Sequence, residues 1–201
     1  MITTTTTTNM LIKLPAFDSI KITKLNNSEI IDLDTPSFKY LNIQRAISIS
    51  NPYVREIIRQ APLLRMHKYI LVDVKVHHLK KSQRPALAHW HIDCNINPLS
   101  KGMPEFNHLF ISNDNSATEF LSTEFVMNID DPNQRIDFNK VLCNQAGTKI
   151  EAGKFYTYSR HPHRATPAVK NGSRLLIRIT EIDKILAPIM NFKVTYTKEN
   201  K

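Results

Sequence analysis

Apolar and polar residues change their period near residue 69. Before it the clearest pattern is helical. Asn51-Pro52 supplies an N-cap followed by proline at the first helical position, and Val54, Ile57, Ile58, Ala61 and Leu64 then recur on one face. Pro62 predicts that this helix ends or kinks early. From Tyr69 onward the period is two: Ile70, Val72, Val74 and Val76 alternate with Leu71, Asp73, Lys75 and His77, which predicts a strand. Further strands are expected over 87–93, 107–112, 119–129, 154–159, 174–181 and 189–197. Turn signals stand between them, among them Asn97-Pro98, Asp131-Pro132, His161-Pro162 and Asn171-Gly172.

Many short strands after a helical lead-in predict a mainly β chain with N-terminal helices, a sandwich or jelly-roll barrel. A doubly wound parallel sheet would need helices between the strands, and the pattern leaves no room for them. Three regions are expected: a disordered threonine-rich tail over 1–14, a helical support over 15–68 and the β core over 69–201.

Composition narrows the class. With 201 residues, 41% of them hydrophobic, one domain with a real core is expected. No apolar run approaches the roughly 18–20 residues of a membrane span, so no membrane association is expected. The N-terminus lacks the pattern of a secretory leader, and Cys94 and Cys143 form no CxxC pair. A reducing, cytoplasmic location is the expectation, with Cys94 a small buried filler rather than a soft metal ligand. Four glycines and no GxGxxG or GxxxxGK[ST] exclude the glycine-rich phosphate loops.

Lysine and arginine total 27 against 18 acids, for a net charge of +9. That raises the odds of an anionic partner, nucleic acid above all, against the alternative of a merely solvated surface. The excess is uneven: residues 65–84 hold six basic residues and one acid, and residues 160–201 hold nine and three.

The stretch Ala88-His-Trp-His-Ile-Asp-Cys94 carries the candidate chemistry. His91 and Asp93 sit two apart on an expected strand, so they share a face with His89. A third ligand is available from Arg160-His-Pro-His-Arg-Ala-Thr-Pro167, either His161 or His163. Two histidines and a carboxylate form the facial triad of non-haem Fe(II) oxygenases, which leaves positions for an oxo acid and dioxygen. Three histidines would suit zinc and hydrolysis better. HxD alone arises often by chance; its order with a histidine 72 residues after His91 and an arginine beyond makes it informative. Trp90 faces away from the ligands, as core. His77, His78 and His108 are expected at the surface or in support, and Tyr156, Tyr158, Asn107 and Phe110 are candidates for the pocket or core.

The segment His163-Arg-Ala-Thr-Pro167, followed by Gly172-Ser-Arg174, resembles the distal-histidine segment of the 2-oxoglutarate/Fe(II)-dependent dioxygenase superfamily, its prolyl hydroxylase-like members in particular. Those members carry a proline four residues after the distal histidine, a glycine just before a basic residue, and that residue about ten on. The resemblance covers roughly 69–181. It implies a double-stranded β-helix, with the ligands on its second and seventh strands and the basic residue on the eighth.

It further implies Fe(II) held by His91, Asp93 and His163, and 2-oxoglutarate bound by Arg174; Tyr156 and Tyr158, which alternate toward one face just before His163, are candidates to hydrogen-bond that acid or to pack in the core. Many members have Arg-x-Ser. Here Leu175-Leu176 follow Arg174, and Arg178-Ile179-Thr180 offers Arg-x-Thr at a longer offset, so Arg178 with Thr180 stands as the rival. The activity implied is a hydroxylase or demethylase that consumes dioxygen and 2-oxoglutarate. A cupin-like metal barrel without oxygenase activity and a non-catalytic jelly-roll binding module are the alternatives.

Overall fold

Asn51 starts the better-formed helix as its sequence requires: its side chain accepts from Val54 N at 2.9 Å, and Pro52 occupies the first turn. The structure, a computed structural model, describes residues 11–14, 21–24, 35–86, 88–91, 106–128, 144–159 and 161–183. Two helices, α1 (Ile43–Ile49) and α2 (Pro52–Arg59), precede the main strands. α2 stops at Gln60, short of Ala61 and Leu64, because Pro62 cannot continue it.

Among the described residues eleven strands run in the order β1 (Leu11–Leu14), β2 (Lys21–Lys24), β3 (Phe38–Asn42), β4 (Tyr69–Leu79), β5 (Phe106–Ile111), β6 (Thr118–Leu121), β7 (Phe125–Asn128), β8 (Gly147–Lys149), β9 (Lys154–Tyr158), β10 (His163–Ala165) and β11 (Gly172–Ile182). The chain is therefore mainly β, with antiparallel sheets. One sheet of six runs β2-β9-β5-β11-β4-β3, one of three runs β10-β6-β8, and β1 pairs β7.

From β4 onward the pairing nests. β4 pairs β11, His91 bridges to β10, β5 pairs β9, and β6 pairs β8, all antiparallel. The outer strands of the sequence thus pair with each other, and each inner pair follows in turn.

The six-stranded sheet is covered on both faces. Val54, Ile57 and Ile58 of α2 and Ala46 of α1 pack on Val72, Val74, Phe110, Phe155, Leu175, Ile177 and Ile179. On the other face Leu109, Ile111, Tyr156 and Tyr158 meet Phe120 and Ile150, next to the small sheet. β4 and β11 read as period-two strands with one apolar face toward the helices and a mixed face toward the small sheet.

Several expectations change. Residues 11–14, expected in the tail, form β1, and 15–68 includes β2 and β3 beside the helices, because edge pairing recruits short strands with little periodicity of their own. The span 119–129 is two strands, broken at Ser122–Glu124, and β8 and β10 are too short to register as a period. The strand expected over 189–197 lies outside the described residues, as do Cys94 and Cys143. Phe110 faces the helices, away from the small sheet. His108, expected at the surface or in support, is fully buried against Glu181 at 2.8 Å and the Thr157 hydroxyl at 2.8 Å. Among the described residues no helix is long and apolar enough to cross a membrane.

Ile58 is 1% exposed in the layer that joins helices to sheet. Ile58→Ala should cost about 2–5 kcal/mol of stability, read from the denaturant midpoint. Met66→Ala, at an exposed position, should change it by less than about 0.5 kcal/mol.

Candidate functional site

His91 and His163 are brought together by backbone. His91 N donates to His163 O at 2.9 Å, and His163 N donates to His91 O at 2.8 Å. Residues directly opposite in such a pair project from the same face, and the two imidazole centroids lie 4.4 Å apart. His163 is buried at the end of β10, with Phe120 and Tyr158 rings 5.2 and 5.5 Å from its own.

Each ring has its Nδ1 near the carbonyl two residues back: His91 to His89 O at 3.2 Å, His163 to His161 O at 3.0 Å. A proton on Nδ1 in that contact leaves the lone pair on Nε2, the tautomer a metal requires. Asp93, the expected carboxylate ligand, lies outside the described residues. Among the described residues no three His, Cys, Asp or Glu side chains are grouped as a metal set.

Both histidines line a cavity of about 90 Å³ with Lys75, Leu109, Tyr158, Arg174, Leu176 and Arg178. That is well below the roughly 300–1,000 Å³ of pockets for drug-sized ligands. His161 is buried but does not line it, and His89 is exposed. The geometry thus pairs His91 with His163 rather than with His161.

The two rival arginines both face the cavity, as alternation along β11 requires, yet their surroundings differ. Arg178 pairs with the buried Asp73 carboxylate at 2.5 Å. Asp73 also accepts from Tyr40 N at 2.6 Å, so this ion pair ties β11 to β3 across β4. Arg174 is 1% exposed and hydrogen-bonds to the carbonyl and hydroxyl oxygens of Ser116, while its buried Nε has no partner among the described residues. No ion pair to Arg174 is present among the described residues. Burial lowers its pKa to about 10, which still leaves it charged at neutral pH.

Thr180 is buried on the same face of β11, and its hydroxyl donates to Asn107 Oδ1 at 2.8 Å. Tyr158 lines the cavity.

Three contributors were not singled out in the sequence. Lys75 stands at a polar position of the alternation in β4, a signal that was present. Arg164 lies over the Trp90 ring at 4.3 Å and pairs with Glu119 at 2.8 Å; its only signal was proximity to His163. Ser116 is placed by a long-range contact that no local pattern encodes. Trp90 is buried as expected. Its ring also reaches Gly147, where a Cβ would stand 2.6 Å from Trp90 Cη2 and 2.5 Å from Phe120 O, so only glycine fits there.

No family model matches the chain and no curated protein matches it.

His77 sits opposite Arg174 in the β4–β11 register. Burial first, then the charges of Arg174, Lys75 and His78, lower its pKa from 6.5 to about 4. The folded state therefore binds fewer protons than the unfolded state between those values. The contribution is fully present above pH 6.5 and is lost as pH falls toward 4. Urea midpoints at pH 6.5 and 4.5 should show a smaller drop for His77→Gln than for the parent chain.

Proposed function

We propose that the chain is a non-haem Fe(II), 2-oxoglutarate-dependent oxygenase, built on a double-stranded β-helix. His91, Asp93 and His163 would be its metal ligands, and Arg174 the receptor for the distal carboxylate of the oxo acid. The observation that carries this reading is one cavity lined by the bridged pair His91–His163 and by a buried guanidinium with no carboxylate partner among the described residues. A buried charge without a counter-ion costs several kcal/mol, and a bound dicarboxylate would offset that cost. Two of the three donors fit the metal, since each imidazole is oriented by the carbonyl two residues before it, His89 O and His161 O.

Strand order supports the fold reading. Counted from β4, with the isolated bridge at His91 taken as the second position and leaving out β7, which pairs with β1, His163 stands seventh and Arg174 eighth. Pairing of first with eighth, third with sixth and fourth with fifth, with one bridge from second to seventh, supports the reading of a long antiparallel hairpin wrapped on itself, the arrangement of a jelly roll.

Iron, when bound with 2-oxoglutarate, supplies activation of dioxygen for oxidation of a co-substrate, the oxo acid leaving as succinate and carbon dioxide. The protein's part is orientation and exclusion of water. Arg174 presents a planar donor fork to a carboxylate, and Ser116 fixes its direction. Leu109, Leu176 and Ala165 make the walls apolar, which strengthens that charge pairing. Tyr158 stands beside His163, where its hydroxyl can orient the acid. Arg178, already neutralised by Asp73, serves the framework.

Anaerobic titration should give one Fe(II) per chain and a visible absorption band on adding 2-oxoglutarate. His91→Ala, Asp93→Ala and His163→Ala should each abolish both. Arg174→Met should weaken 2-oxoglutarate about 10- to 100-fold with iron affinity unchanged, while leaving the metal-free fold at least as stable. Metal retained in all three ligand variants, or loss of oxo-acid binding in Arg178→Ala but not in Arg174→Met, would overturn the assignment.

A further inference from the structure

The basic excess of the chain is concentrated by the fold. Residues 74–90 contain Lys75, Lys80, Lys81 and Arg84 and not one Asp or Glu; residues 161–180 contain Arg164, Lys170, Arg174 and Arg178 and again no acid. The turn after β4 and the turn before β11 are laced together. Ser82 N donates to Ala168 O at 2.7 Å, Ala168 N to Gln83 O at 2.8 Å, and Lys81 N to Asn171 Oδ1 at 2.8 Å. Val169 N and Lys170 N both donate to Asn115, at 2.8 and 3.0 Å. Ser82 takes φ 70°, a left-handed conformation held by these bonds.

The result is a firmly placed group of four exposed cations, Lys80, Lys81, Arg84 and Lys170, on adjoining turns. Arg84 also donates to Ala165 O, beside the cavity that holds His163. The nearest acid in the contacting loop, Asp114, accepts from Ala152 N at 3.0 Å.

We infer that this face binds the phosphate backbone of double-stranded nucleic acid, independently of sequence. Four cations on rigid turns, in a chain of net charge +9, suit a polyanion of high linear charge density. Recognition of single strands relies on aromatic platforms for the bases. The two basic segments hold one Phe, Tyr or Trp between them, Trp90, and it is buried beneath Arg164. Among the described residues the face therefore offers no stacking platform for bases, and a duplex, with the denser charge, is the favoured ligand. This surface does not depend on the oxygenase reading, since none of its four cations is assigned to metal or oxo acid.

The test is fluorescence anisotropy of the full chain with a mixed-sequence 20-base-pair duplex. With four phosphate contacts, affinity should fall about 100-fold between 50 and 200 mM salt. Lys80→Gln/Lys81→Gln/Lys170→Gln should flatten the log–log salt slope to about −1. Lys39→Gln/Arg45→Gln/Arg59→Gln, which removes the same charge from exposed positions on β3, α1 and α2, should leave the slope near its parent value. All these side chains are exposed, so thermal midpoints should stay unchanged and certify folding. The inference is overturned by no binding at 50 mM salt or by equal effects of the two triple variants. Tighter binding of a single strand than of the duplex, or displacement of the duplex by polyglutamate at equal charge concentration, would overturn it too.

Discussion

The central strand β11 is hydrogen-bonded along both edges and covered on both faces. All eleven of its residues have partners in β4, and six have partners in β5. Its register therefore cannot drift without breaking two ladders at once. A slip of one residue would turn Arg174 and Arg178 into the apolar layer under the helices and bring Leu175, Ile177 and Ile179 to the cavity. The division of the molecule into a stabilising face and a chemically equipped face rests on that register.

On the equipped face, two arginines four residues apart have separate duties. Asp73 neutralises Arg178 and spends its second oxygen on Tyr40 N, so that pair belongs to the framework. Among the described residues Arg174 is held by Ser116, through acceptor oxygens that carry no opposing charge. Ser116 is itself fixed to the residue that follows β10, since its hydroxyl donates to Thr166 O at 2.7 Å and Thr166 N donates to Ala117 O at 2.9 Å. The direction of the guanidinium and the position of His163 are thus set by one short stretch of loop.

Much of this was legible in the chain. The N-cap at Asn51, the stop at Pro62 and the alternation through β4 and β11 are local signals, and each produced the expected element. The shared face of Arg174 and Arg178 followed from the period of a strand. What could not be read was long-range. Neither the bridge between His91 and His163 nor the choice of Asp73 as partner for Arg178 has a signature within a short window. β8 and β10 span three residues each, too few to show a period. His108 carries no local sign of burial, because only the fold brings Glu181 to it, across a gap of 73 positions.

The Asp73–Tyr40 hydrogen bond also shapes the rim of the large sheet. β3 is its last strand, and the register between β3 and β4 shifts between Phe38 and Leu41, with Tyr40 at φ 54°. The Tyr40 N–H turns inward to a carboxylate instead of continuing the ladder, and the exposed Lys39 precedes it. A regular free edge would invite another chain to add a strand; a kinked one bearing a lysine does not. The same buried acid that neutralises an interior arginine therefore also interrupts the edge ladder to which a further strand could add.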